Sequence, residues 1–205
     1  MNAIFTADIV NSSSLNQQGF DKLIGDLKNL FKTDNKDFYN GDSFRVLIKQ
    51  PGDALMQCIK SRLLAIQCSG RLRVDIRVSI NIGNLQSKQI DLRSSMDELL
   101  VQSGRSFTRL QNTTQRLYIT AGDKDADFTY DIIAEYTDTL LEQVTAKQAQ
   151  ILFLLLSGKT QVETAHQLAL STATISKQVK AARYDKIKSV LHKFEVLTNQ
   201  LQHGK

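Results

Sequence analysis

Residues 73–83, RVDIRVSINIG, constrain the fold more than any other stretch. Val74, Ile76, Val78, Ile80 and Ile82 fall on one side of an extended chain, and Arg73, Asp75, Arg77, Ser79 and Asn81 on the other. Such alternation is the mark of a strand with one apolar face, so the chain builds a sheet whose apolar side needs helices to cover it. The polar side is left for water or for a partner or ligand.

Helical patterns of the right kind flank it. In LNQQGFDKLIGDLKNLF, Leu15, Phe20, Leu23, Ile24, Leu27, Leu30 and Phe31 share one helical side, and Asn11 to Ser14 offer N-cap residues. The only proline, Pro51, opens a second helix, PGDALMQCIKSRLLAIQ, where its missing N–H costs least. Between them, Asn40-Gly41-Asp42 separates two short strand-like runs, a hairpin signal because Asn-Gly accepts positive φ. Residues 95–116 read as a helix interrupted near Ser103-Gly104, and RLYITA as a further strand. The order strand, helix, hairpin, helix, strand, helix, strand predicts an α+β, ferredoxin-like sheet with helices on one face.

No stretch reaches the roughly 18 unbroken apolar residues of a membrane span. The opening MNAIFTADIV lacks the charged flank and apolar core of a signal peptide, so a cytoplasmic location with no membrane partner is expected. Cys58 and Cys68 fall within the second helical pattern, too far apart along a helix for a disulfide, and read as buried thiols.

Charge divides the chain. Residues 1–144 carry 17 Lys and Arg against 18 Asp and Glu, whereas residues 145–205 carry 9 against 3. The basic third has a sharp pattern of its own. TAKQAQILFLLLSG is a helix capped by Thr145 with Gly158 beyond its end; Thr160 and Glu163 make a capping box for a short helix with Val162, Ala165 and Leu168 inward. Ser171 caps a third helix, TATISKQVKAARYDKI, and Leu170, Ile175 and Val179 form the core wedge beneath it. This is the layout of a helix-turn-helix, whose last helix enters the major groove of double-stranded DNA. Thr172, Ala173, Ser176, Lys177, Lys180, Arg183 and Tyr184 would face the DNA: short side chains toward base edges, cations toward phosphates. A plain helical bundle with a solvated basic face, or a module that pairs with another protein, is the alternative reading. The expected domains are an α+β unit over 1–128, a helical linker over 129–144 and the helix-turn-helix over 145–205.

At the other end, FTADIVNSSSL puts Asp8 at the close of an apolar run. A capping or turn carboxylate explains it, as an ordinary hairpin residue explains Asp42. If the hairpin lies beside the first strand, however, the two acids share one end of the sheet. A divalent cation, Mg²⁺ or Mn²⁺, held with nucleotide phosphates, is then the expected cofactor. Asn11, Ser12 and Ser13 would supply a phosphate-binding loop.

FTADIVNSS, GDSF and VDIRVSINIG resemble the skeleton of class III nucleotidyl cyclases, and the whole chain, with SGRSFTRLQ and STATISKQVKAARYDKI, is similar to the bacterial SatD family. The resemblance implies a cyclase-like sensing and dimerisation domain with Asp8 and Asp42 at the metal positions, followed by a helix-turn-helix. Two departures bear on chemistry: Ser43 replaces the second glycine of the usual GDG, and Thr108 stands where the transition-state asparagine would fall. Cyclisation thereby lacks its usual charge stabilisation. The sequence therefore predicts a homodimeric, DNA-binding transcriptional regulator with no catalytic residues; a metal-dependent nucleotide-binding or nucleotidyl cyclase-like enzyme using Asp8 and Asp42 is the alternative.

Overall fold

A computed structural model describes residues 1–87 and 90–203, the side chain of His203 excepted. Five strands, β1 (Asn2–Val10), β2 (Asn35–Tyr39), β3 (Ser43–Ile48), β4 (Asp75–Gly83) and β5 (Leu117–Thr120), form one mixed sheet in the order β2-β3-β1-β4-β5. The first four strands pair antiparallel in the predicted ferredoxin-like order, and β5 joins β4 in parallel. The hairpin between β2 and β3 turns on Asn40 and Gly41, both at positive φ (51° and 83°), as Asn-Gly permits.

Three helices pack on the apolar side: α1 (Gln17–Leu30), α2 (Ala54–Ile66) and α4 (Lys124–Glu142). Pro51 does open the second helical segment, as the first residue of a 3₁₀ turn leading into α2. Cys58 is buried in α2, but Cys68 lies just past its end and is half-buried; both are free thiols. The N-cap of α1 is Asn16, whose side chain accepts from the Gly19 N–H at 2.8 Å. The expected caps Asn11 to Ser14 instead form a separate turn, because Asn11 adopts left-handed φ and its amide donates to the Arg73 carbonyl at 2.7 Å.

The expectation of helices on one face only is corrected by α3 (Glu98–Gln111), which lies across the opposite face of the sheet. It runs without interruption through Ser103 and Gly104. Ser103 is buried and shares a 2.6 Å hydrogen bond with Thr6 of β1, while Ser106 accepts from the Asn81 amide at 3.0 Å. Ser79 and Asn81 are therefore interior residues, not part of a wetted or partner-facing surface.

The chain continues into α5 (Ala146–Leu156), α6 (Gln161–Gln167), α7 (Thr172–Ala181) and α8 (Tyr184–His203). These are not hung from a linker. The 129–144 segment is most of α4, whose Tyr130, Ile133 and Ala134 belong to the sheet's core; α5 and α8 send Leu152, Ile187 and Phe194 into the same core. Helix α2 is consequently covered by the sheet on one side and by α5 on the other, which is why it is apolar nearly all round. No helix among the described residues is long and apolar enough to cross a membrane.

One charged group sits inside that helix. Arg62 is fully buried, bidentate to Asp75 at 3.0 and 2.9 Å, and also donates to Asp138 of α4. Burial works against its charge, but the two aspartates outweigh that cost and the guanidinium holds its proton more firmly than a free one. Removing one partner of a buried ionic cluster costs roughly 3–5 kcal/mol. Arg62→Met, which keeps the volume, is expected to lower urea stability by about that much; a midpoint equal to wild type would show that the cluster contributes nothing net.

Candidate functional site

Two regions carry the residues singled out by the sequence. Toward one end of the sheet, Asp8 lies two residues before the end of β1, with Ser43 of β3 and Arg77 of β4 as its strand partners. The Asp42 carbonyl accepts the Ile9 N–H at 3.1 Å, so the hairpin tip is pinned beside β1 and the two aspartates share one sheet end. Their carboxylates, however, have different partners. Asp42 accepts from the Ser12 hydroxyl at 2.8 Å and borders a hollow of about 310 Å³ with Ser13 and Phe20. Asp8 accepts from the Gln111 amide of α3 at 3.2 Å, and Arg77 stands 3.8 Å from the same oxygen.

The donor set gives a mixed answer for a cation. Oδ1 of Asp8 is buried and has no hydrogen-bond partner, as is true of Nε of the neighbouring Arg77, so the lone pairs of that oxygen are not taken up by the protein. Against this, the Arg77 guanidinium already supplies positive charge, and no group of three or more His, Cys, Asp or Glu among the described residues is placed to hold a metal. Two carboxylates alone fit a cation only if phosphate oxygens complete its shell. Of the expected phosphate loop, the Ser12 hydroxyl is spent on Asp42 and the Asn11 amide on Arg73; Ser13 lines the hollow. Thr108 turns its hydroxyl back to the Gly104 carbonyl of its own helix, so it offers no donor to a reacting group.

Sequence reasoning missed the residues that engage Asp8. Arg77 was visible as a polar residue on β4, but Gln111 lies 103 residues from Asp8 and carries no local signal. Nor was there a sign of the polar cleft of about 440 Å³ where β4 and β5 end beneath α3, bordered by Asn81, Glu98, Arg109 and Tyr118.

The second region is the C-terminal helical set. Thr145 forms a capping box with Gln148, and Thr160 another with Glu163, whose carboxyl is held below the usual range by the Thr160 N–H and hydroxyl. After α6 the chain turns tightly: Ala169 takes φ 51°, and the Leu170 N–H reaches the Ala165 carbonyl at 2.9 Å. Ser171 then caps α7, accepting from the Thr174 N–H at 3.1 Å. A small core of Ile151, Leu155, Ala165 and Ile175, with Leu168, Val179 and Tyr184 against it, holds α5, α6 and α7 together.

Two residues expected inside are outside. Val162 is 66% exposed because the short α6 buries its Thr164–Ala165 side, and Leu170 is 43% exposed in the turn. The third helix also ends earlier than its sequence suggests. Arg183, at φ 51°, breaks it from α8.

Of the residues assigned to DNA, Thr172, Ala173, Ser176, Lys177, Lys180 and Arg183 are exposed along and just beyond α7, while Tyr184 is half-buried against both cores. Lys177, Lys180 and Arg183 form no ion pair among the described residues.

No family model and no curated protein matches the chain. Among solved structures it is similar to the crystal structure of the guanylyl cyclase Cya2, at 18% identity and a TM-score of 0.41 over 60% of this chain and 78% of that one.

The caps generate a direct prediction. Ser171→Ala removes the acceptor for the Thr174 N–H and is expected to cost about 1 kcal/mol of stability, read as a lower denaturant midpoint, with Ser171→Asp recovering it.

Proposed function

We propose that the protein is a DNA-binding transcriptional regulator that inserts α7 into the major groove. The observation that carries this reading is the union of a capped short helix, a tight turn and a capped second helix with an outward face of small residues and unpaired cations. Each part has a job in that act. Thr172, Ala173 and Ser176 present hydroxyls and a methyl at the beginning of α7, where a helix end approaches base edges. Lys177, Lys180 and Arg183 follow at intervals that suit phosphates along the groove wall. An unpaired surface cation is freely available to a phosphate, whereas one bound to a carboxylate would first have to release it.

Binding should be salt-sensitive. In fluorescence anisotropy with duplex genomic fragments, Lys177→Ala with Lys180→Ala is expected to weaken binding on every sequence and to flatten the slope of log K against log salt by about 2. An unchanged slope, or no binding by wild type at low salt, overturns the proposal.

A second reading rests on the buried, unpartnered Oδ1 of Asp8: the sheet end receives a nucleotide with its divalent cation, as a sensor that does not turn over. Asp8 and Asp42 would hold the cation, and Ser13 would face the phosphates. Calorimetry with ATP or GTP plus Mg²⁺ or Mn²⁺ is expected to show metal-dependent heat that Asp8→Asn abolishes. Heat that is identical for the variant, or none for wild type, removes this reading and leaves the DNA reading untouched.

A further inference from the structure

Helix α4 is held from within by Ala126, Ile133 and Ala134 against the core, and by Tyr130 against α8. The Tyr130 ring meets Phe194 at 5.5 Å and its hydroxyl shares a 2.9 Å hydrogen bond with Thr198. Its outer side is unlike that of an ordinary surface helix. Phe128, Ile132 and Tyr136 recur every fourth residue and are 71, 53 and 43% exposed, and Val196 of α8 adds a fourth exposed apolar side chain. These four are half of the eight large exposed hydrophobics among the described residues. Beside the stripe, α4 and α8 enclose a groove of about 370 Å³ bordered by Asp125, Thr129, Leu197 and Gln200. Large apolar side chains repeated along one exposed helix side mark an interface.

Charge selects the occupant. The exposed acids of α4 are Asp125, Asp131, Glu135 and Glu142, opposed on that helix only by Lys124. On α8, Lys186 and Lys193 stand at the seven-residue spacing that leads to Gln200 in the groove, and so share its side of the helix. Lys186 meets only its neighbour Asp185, at 3.9 Å, and Lys193 has no ion pair among the described residues. Helix α8 exposes Lys186, Lys188 and Lys193 against Asp185 and Glu195, so an acidic helix lies beside one with a basic excess, with exposed apolar residues on both, and the pair is complementary to itself. A two-fold axis would lay α4 of each copy against α8 of the other, so that each acid-lysine match would occur twice.

We propose that the outer faces of α4 and α8 form the interface of a homodimer. The assignment does not depend on DNA binding, and the oligomeric state is measured without DNA. Its failure therefore leaves the reading of α7 standing.

Sedimentation equilibrium of the full chain is expected to give the mass of two copies. Phe128→Glu with Ile132→Glu should weaken the dimer by at least about tenfold while leaving circular dichroism unchanged, and the denaturant midpoint unchanged when measured at concentrations where wild type is monomeric, since both side chains are exposed. Glu135→Lys alone should also weaken it, and Lys193→Glu added to Glu135→Lys should restore it. A wild-type protein that stays monomeric overturns the proposal. So does a dimer that the Phe128 and Ile132 changes leave intact, or a charge reversal that Lys193→Glu fails to rescue.

Discussion

The Arg62 guanidinium joins three elements that are distant in sequence. It sits in α2, grips Asp75 at the first residue of β4 and reaches Asp138 near the end of α4. The other oxygen of Asp138 accepts the backbone N–H of Arg116 at 2.8 Å and of Leu117 at 3.3 Å, which fixes where β5 begins. Arg73 extends the arrangement by donating to the Leu141 and Val144 carbonyls at the end of α4. A buried charge is tolerated only when its partners and their remaining lone pairs are satisfied, so the positions of β4, β5 and α4 around α2 are mutually dependent. Because α5 closes over the far side of α2, the C-terminal helices rest on the same arrangement.

The second organising choice is the use of both faces of the sheet. One face is packed by aromatic and aliphatic residues, with Phe5, Phe31 and Phe44 in mutual contact at 5.5–6.0 Å. The other is covered by α3 through small hydroxyls and an amide, Thr6 to Ser103 and Ser79 to Asn81 to Ser106, with Arg45 donating to Thr6 and to the Leu92 carbonyl. Polar groups enclosed this way lose little when each finds a partner. This covering helix also brings Gln111 to Asp8. It thus converts a sheet-end carboxylate into part of a cluster with Arg77, and it roofs the cleft where β4 and β5 end.

How much of this was legible depended on whether the cause was local. The β4 alternation, the Asn40-Gly41 turn, and the caps Thr145, Thr160 and Ser171 were readable because each follows from the backbone preference of a few adjacent residues. The adjacency of Asp8 and Asp42 was also readable, since a hairpin beside the first strand leaves them no other place. The partners that decide how those acids behave were not. Nor was the exposure of Val162 and Leu170, because a short helix offers too few residues to fix which side turns inward.

By itself, the sequence determined the strands and most of the helices, the ferredoxin-like order of the first four strands, and the division into a near-neutral part and a basic part with a capped pair of helices. These are encoded by period, turn residues and charge, all properties of contiguous chain. Only the tertiary structure decided that the polar face of β4 is interior, that the 129–144 segment is core helix and not a linker, and that α4 keeps an apolar stripe toward the outside. Each of these depends on which distant surfaces cover one another, and a polar or apolar residue reads the same in sequence whether its neighbour is a helix or water.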